Sequence, residues 1–147
     1  MDFRHYLTAA LLCCASLAAF ASDSPVGLWR TIDDKTGKEK SLIRISEVNG
    51  ELRGTIEKIF PEPGEDPNPN CDKCQGDKKN KPVVGMTVMT GMKRDGQEYA
   101  GGEILDPANG KTYRCKMWTT DGGKKLSVRG FIGVSVLGRT QSWVREE

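Results

Sequence analysis

The residues best suited to chemistry are Cys71 and Cys74, separated by Asp72 and Lys73, with Cys115 farther along the chain. Thiols at this spacing can close a disulfide, exchange one, or present thiolates to a metal. In an oxidising compartment a structural disulfide is the default, either Cys71 with Cys74 or Cys115 with one of them. Thiol exchange favours a cysteine at a helix N-terminus, where the dipole lowers its pKa, and no helical pattern follows Cys74. Zinc would need a fourth ligand, which would have to be a carboxylate such as Asp72 or Asp77. Asp66, Asn68, Asn70 and Asp77 stand at the first, third, fifth and twelfth positions of a calcium-loop spacing. Cys71 holds the position that wants glycine there, prolines stiffen the approach, and the pattern reads as a turn. The expectation is a disulfide, with no metal and no cofactor.

The one histidine of the sequence is His5. It lies in a stretch that reads as an export signal: Arg4 and His5, an apolar run from Leu7 to Phe20, and small residues in Ala19-Phe20-Ala21. Cleavage after Ala21 is expected, giving a signal peptide over 1–21, a single domain over 22–147, and a periplasmic or secreted location. Leu12 precedes Cys13 where an acylation site needs a small residue, so lipid anchoring is not expected. The apolar run is too short to span a bilayer comfortably, and no later segment is continuously apolar. With the leader goes His5, so the mature chain has no histidine to serve as general base, triad member or metal ligand. Glu103 with Asp106 is the nearest thing to a glycosidase-like carboxylate pair, and nothing fixes their separation. No catalytic residue is assigned, and the protein is read as a non-enzyme. Losing Arg4 and Asp2 takes 22 basic and 20 acidic residues to 21 and 19, a mixed charge with no footprint for nucleic acid.

The elements that must position these residues are strands. Short apolar or alternating stretches separated by turn residues predict Gly27 to Ile32, Ser41 to Val48, Glu51 to Phe60, Val83 to Met89, Glu98 to Leu105, Lys111 to Trp118, Lys125 to Phe131 and Val136 to Val144. Asn49-Gly50 signals a type I′ hairpin. The break from Pro61 to Pro82 holds five prolines and cannot be a central strand. About eight sequential strands in one domain predict an all-β fold, an antiparallel up-and-down barrel whose closure removes exposed edges.

Such a barrel is either filled or just wide enough for one small ligand. Alternation puts Tyr113, Cys115 and Met117 on one face of their strand, and Arg114, Lys116 and Trp118 on the other. Tyr113 and Met117, with Ile43, Ile45, Ile56, Met86, Val88, Leu126 and Val128, are the candidate lining of the interior. Glu103 and Arg129 are candidates for a cross-strand ion pair.

Gly27-Leu28-Trp29 at the start and Thr140-Gln141-Ser142-Trp143-Val144-Arg145 at the end look like the two ends of a lipocalin-type (calycin) barrel. There the tryptophan packs under the floor with an arginine from the last strand over its indole, which here implies Trp29 with Arg145 or Arg139 as barrel closure. Joined by Cys71-x-x-Cys74, Lys81-Pro82-Val83-Val84-Gly85, Gly101-Gly102-Glu103-Ile104-Leu105-Asp106-Pro107, Gly110-Lys111-Thr112-Tyr113, Leu126-x-x-Arg129-Gly130 and Arg139-Thr140-Gln141-x-Trp143, the pattern resembles the secreted bacterial family called domain of unknown function 2147. The resemblance covers essentially the whole mature chain. It implies a secreted or periplasmic lipocalin-like barrel and no particular activity.

Three functions fit this reading. The first is a carrier for a small, partly apolar molecule or lipid held in the barrel. The second is a non-catalytic cell-envelope interaction module, contacting a protein through the 61–82 loop. The third is a thiol or metal protein centred on Cys71 and Cys74.

Overall fold

The computed structural model describes residues 23–147, so the expected signal peptide over 1–21 lies outside the described residues. Eight antiparallel strands follow in chain order: β1 (Gly27–Ile32), β2 (Glu39–Val48), β3 (Glu51–Ile59), β4 (Thr87–Asp95), β5 (Glu98–Asp106), β6 (Lys111–Thr120), β7 (Lys125–Phe131) and β8 (Arg139–Arg145). Each pairs with its sequence neighbours, and β8 returns to β1 through Trp29 opposite Arg145, closing the barrel. Every interior strand edge is thereby paired. Asn49 and Gly50 both have positive φ, 54° and 79°, as the tight turn between β2 and β3 requires.

Two strands begin later than the alternation predicts. The fourth starts at Thr87 rather than Val83 because Val83 donates to the Pro69 carbonyl and Met86 donates to the Val83 carbonyl, curling 83–86 into a turn. It then runs past Gly91 to Asp95. The eighth starts at Arg139 rather than Val136, since Ser135–Leu137 forms a single 3₁₀ turn.

The up-and-down order sorts the connections between two ends. β1–β2, β3–β4, β5–β6 and β7–β8 connect at one end, the mouth; the other three turns and the flanking chain ends gather at the floor. Near the floor, Trp29, Ile45, Met89, Met92, Met117 and Leu126 are fully buried. Each contributes about 1.5–3 kcal/mol by leaving water. No helix among the described residues is long and apolar enough to cross a membrane.

Candidate functional site: a calyx open at one end

Above that packed layer the barrel is hollow. A cavity of about 840 Å³ opens through the mouth. Its apolar wall comes from Ile43, Ile56, Val88, Ile104, Val128 and Trp143. These sit on six different strands, each at an inward position, so the lining follows directly from the period-two alternation.

Polar groups are few on the inner wall, whereas Asp33, Lys35, Lys40, Glu65, Asp66 and Asp106 line the cavity at its mouth. Thr31 and Ser41 share a hydroxyl hydrogen bond of 2.7 Å between β1 and β2. The Trp143 indole donates to Gln141 Oε1 at 3.2 Å. An indole N–H can only donate, so Gln141 must turn its oxygen to it, which leaves the amide N–H groups for whatever enters the cavity. Tyr113 accepts a hydrogen bond from Asn109 Nδ2 at 2.9 Å. At the lip Arg139 is paired with Asp34 from the β1–β2 connection, its Nε donating to Oδ2 at 2.6 Å. The Arg139 guanidinium holds the Asp34 carboxyl below its usual range, and Asp34 in turn raises Arg139.

The long β3–β4 connection forms part of the rim, with Pro69, Asn70, Asp72 and Lys73 facing the cavity. It is braced from within. Cys71 and Cys74 are disulfide-bonded, Cys71 donates to the Lys81 carbonyl, and Asn80 donates back to the Cys71 carbonyl. In the bonded state neither sulfur is a thiolate that could ligate a metal. The segment is seated against the β5–β6 turn at Gly110, where an added Cβ would lie 1.9 Å from the Lys73 carbonyl oxygen. With φ of 73° as well, only glycine fits there. Asp66 makes a local turn, accepting from the Asn68 N–H at 2.8 Å.

Of the nine residues expected to line the interior, Ile43, Ile56, Val88, Tyr113 and Val128 are on the cavity wall. Ile45, Met117 and Leu126 are instead part of the packed layer beneath it, and Met86 is buried in the core cluster away from the wall. Alternation fixes which face a residue takes but not its height in the barrel. Ile59, Ile104, Gln141 and Trp143 also line the cavity. The Arg139-x-Gln141-x-Trp143 alternation carried a signal for the last two.

The floor is closed by Arg145. Its guanidinium lies 4.2 Å from the centre of the Trp29 ring and donates to the carbonyls of Ser24, Val26 and Gly123. Gly27, at φ 142°, leaves room for it: a Cβ there would come within 2.6 Å of Arg145 Nη1. Arg139, the other candidate for this role, is at the opposite end, because β8 starts at the mouth and only its last residue reaches the floor. Glu103 stands opposite Arg114 rather than Arg129. Cys115 remains an unbonded thiol, and burial pushes its pKa up to about 12. It is therefore protonated and non-nucleophilic near neutrality.

The family model described as "Uncharacterized protein conserved in bacteria (DUF2147)" matches residues 27–145. The chain belongs to this family. The match spans the whole barrel, from the glycine beside Arg145 to Arg145 itself. None of the curated proteins matches this sequence. Among solved structures, protein HP1028 from the human pathogen Helicobacter pylori, described as belonging to the lipocalin family, is similar over 86% of this chain and 85% of that one. The TM-score is 0.72 at 18% identity, a likeness of fold. The DUF2147 chain is thus a lipocalin-like eight-stranded barrel.

Proposed function

We propose that the protein is a periplasmic or secreted carrier that holds one small, partly apolar molecule in its barrel, without catalysis. The cavity of about 840 Å³ carries this reading. It falls within the about 300–1,000 Å³ usual for small-molecule sites, with an apolar inner wall, a few placed polar groups on it and a charged mouth. Apolar parts of the ligand would be buried against Ile43, Ile56, Val88, Ile104 and Val128, while the Gln141 amide and the Tyr113 hydroxyl orient a polar end. The lipocalin likeness of the fold supports the reading by analogy. The disulfide between Cys71 and Cys74 supports an oxidising compartment. The 61–82 loop, braced and seated on the rim, serves here as part of the mouth.

Native extraction of the purified protein followed by mass spectrometry, with titration of a fluorescent fatty acid, tests the proposal. One bound molecule per chain, displaced by the fluorescent probe, is the expected result. A barrel that releases nothing and takes up no apolar probe of any length would overturn it.

A further inference from the structure

Two polar groups on the inner wall remain open, and both have protons to give. The Trp143 indole donates to Gln141 Oε1, so the amide N–H groups turn to the cavity, where among the described residues they meet no acceptor. Asn109 is oriented in the same way: the Lys111 N–H donates to its Oδ1 at 2.8 Å, which leaves Nδ2 to donate to Tyr113. The phenol oxygen thus accepts, and its own proton is free. The Thr31 and Ser41 hydroxyls answer each other and the Ser41 carbonyl. A molecule that enters the barrel therefore meets spare donors rather than spare acceptors.

Charge is confined to the lip. Every charged side chain facing the cavity comes from the mouth connections or the strand ends beside them, six acidic against four basic. The cation above Gln141 on β8 is Arg139, and its Nε and Nη2 both donate to Asp34. Gln141 lies two residues farther in, roughly 7 Å along the strand, with Val128 across from it on β7. A carboxylate drawn to that depth would lose its water without meeting a cation, and an ammonium would add donors where donors are already in surplus. A ketone or ester oxygen has neither fault, since it only accepts and carries no charge.

We infer that the calyx selects molecules whose buried polar group is an uncharged carbonyl oxygen, received by the Gln141 amide with Tyr113 as a second donor nearer the mouth. The inference rests on the carrier reading and narrows its ligand class. Fatty acids and alkylamines still enter by the chain, with the charged head kept in water at the lip, and they forgo the bond to Gln141.

The test is displacement of a soluble fluorescent apolar probe by methyl laurate, laurate, laurylammonium and dodecane near neutral pH. Methyl laurate is expected to bind at least about tenfold tighter than either charged analogue. Gln141→Met should weaken methyl laurate about fivefold or more while leaving dodecane within about twofold. Gln141→Glu, which keeps an acceptor for the Trp143 indole, should weaken the ester likewise. Infrared spectra of methyl laurate isotopically labelled at its carbonyl should show the stretch lowered in the wild-type complex and returned toward its alkane-solvent frequency in both variants. Unchanged circular dichroism and dodecane binding confirm that fold and calyx are intact. Charged analogues that bind as tightly as the ester, variants that bind the ester like the wild type, or an unshifted carbonyl stretch in the wild-type complex would overturn the inference and leave the carrier reading standing. Should neither the probe nor any of the four compounds bind, the carrier reading falls and the inference with it.

Discussion

Arg145 covers the indole of Trp29 at 4.2 Å while its donors reach three backbone carbonyls from two separate chain segments. Burial lowers its pKa without a carboxylate in contact, so what holds the charge is the ring face and the carbonyl oxygens. Only a planar fork can serve all of these at once.

Arg145→Lys should therefore behave almost like Arg145→Ala. An ammonium keeps the charge but cannot stack and reach Ser24, Val26 and Gly123 together, and the loss should be about 3 kcal/mol in either case. Urea denaturation of both variants checks this; a lysine variant as stable as the wild type would show that charge alone closes the floor.

Height in the barrel decides what a larger side chain does. Val128→Phe adds volume to open space, so it should change stability by under about 1 kcal/mol while weakening uptake of an apolar probe at least tenfold. Met117→Trp adds volume to the packed layer below and should cost about 1–3 kcal/mol. Thermal melts and probe titration on the two variants separate wall from floor.

That distinction is also where the sequence stops being legible. The period of two assigned Tyr113, Cys115 and Met117 to the inside, and all three face inward; it could not say that Tyr113 meets open space and Met117 solid packing, because height depends on strand tilt and register. The hairpin at Asn49-Gly50 was readable because positive φ at both positions is a local demand. Val83 and Val136 read as strand starts because their apolar character is local, whereas the hydrogen bond from Val83 to Pro69 and the grip of Arg129 on the β7–β8 tip are tertiary. Asp34 was invisible as a site residue, being a turn residue until Arg139 arrives across the mouth.

The Asp34 and Arg139 pair gives the mouth an acid limit. Asp34 is held below its ordinary 3.8 chiefly by the hydrogen bond from Arg139. A carboxyl with a depressed folded pKa stabilises the closed pairing above 3.8 and loses that contribution as pH falls through the lower folded value. The β1–β2 and β7–β8 connections should separate only in that acid range, and Asp34→Asn should show no such step. Carboxyl chemical shifts followed by NMR report the titration; an Asp34 that titrates at its ordinary value would break the argument.

Cys115 supplies the alkaline counterpart. Its folded pKa of about 12 lies above the ordinary 9.0, so between these values the unfolded chain gives up a proton that the folded one keeps, and stability should fall as pH rises across that interval. Cys115→Ala should remove that part of the pH dependence. In the wild type at pH 8, iodoacetamide should label Cys115 only after denaturation; rapid labelling of the folded protein would contradict its burial.

The disulfide should matter locally rather than globally. Cys71 and Cys74 close a loop within one connection, and constraining so short a loop is worth about 2 kcal/mol at most in the chain-entropy picture. None of the eight strands depends on it, because the barrel closes through β1 and β8. Cys71→Ser with Cys74→Ser should thus speed hydrogen exchange at the amides of Cys71, Asn80 and Val83, whose bonds brace the rim. Amides in β6 and β7 should keep their protection. Loss of protection throughout the barrel would instead mean that the 69–83 segment supports the fold itself, through its seat on Gly110.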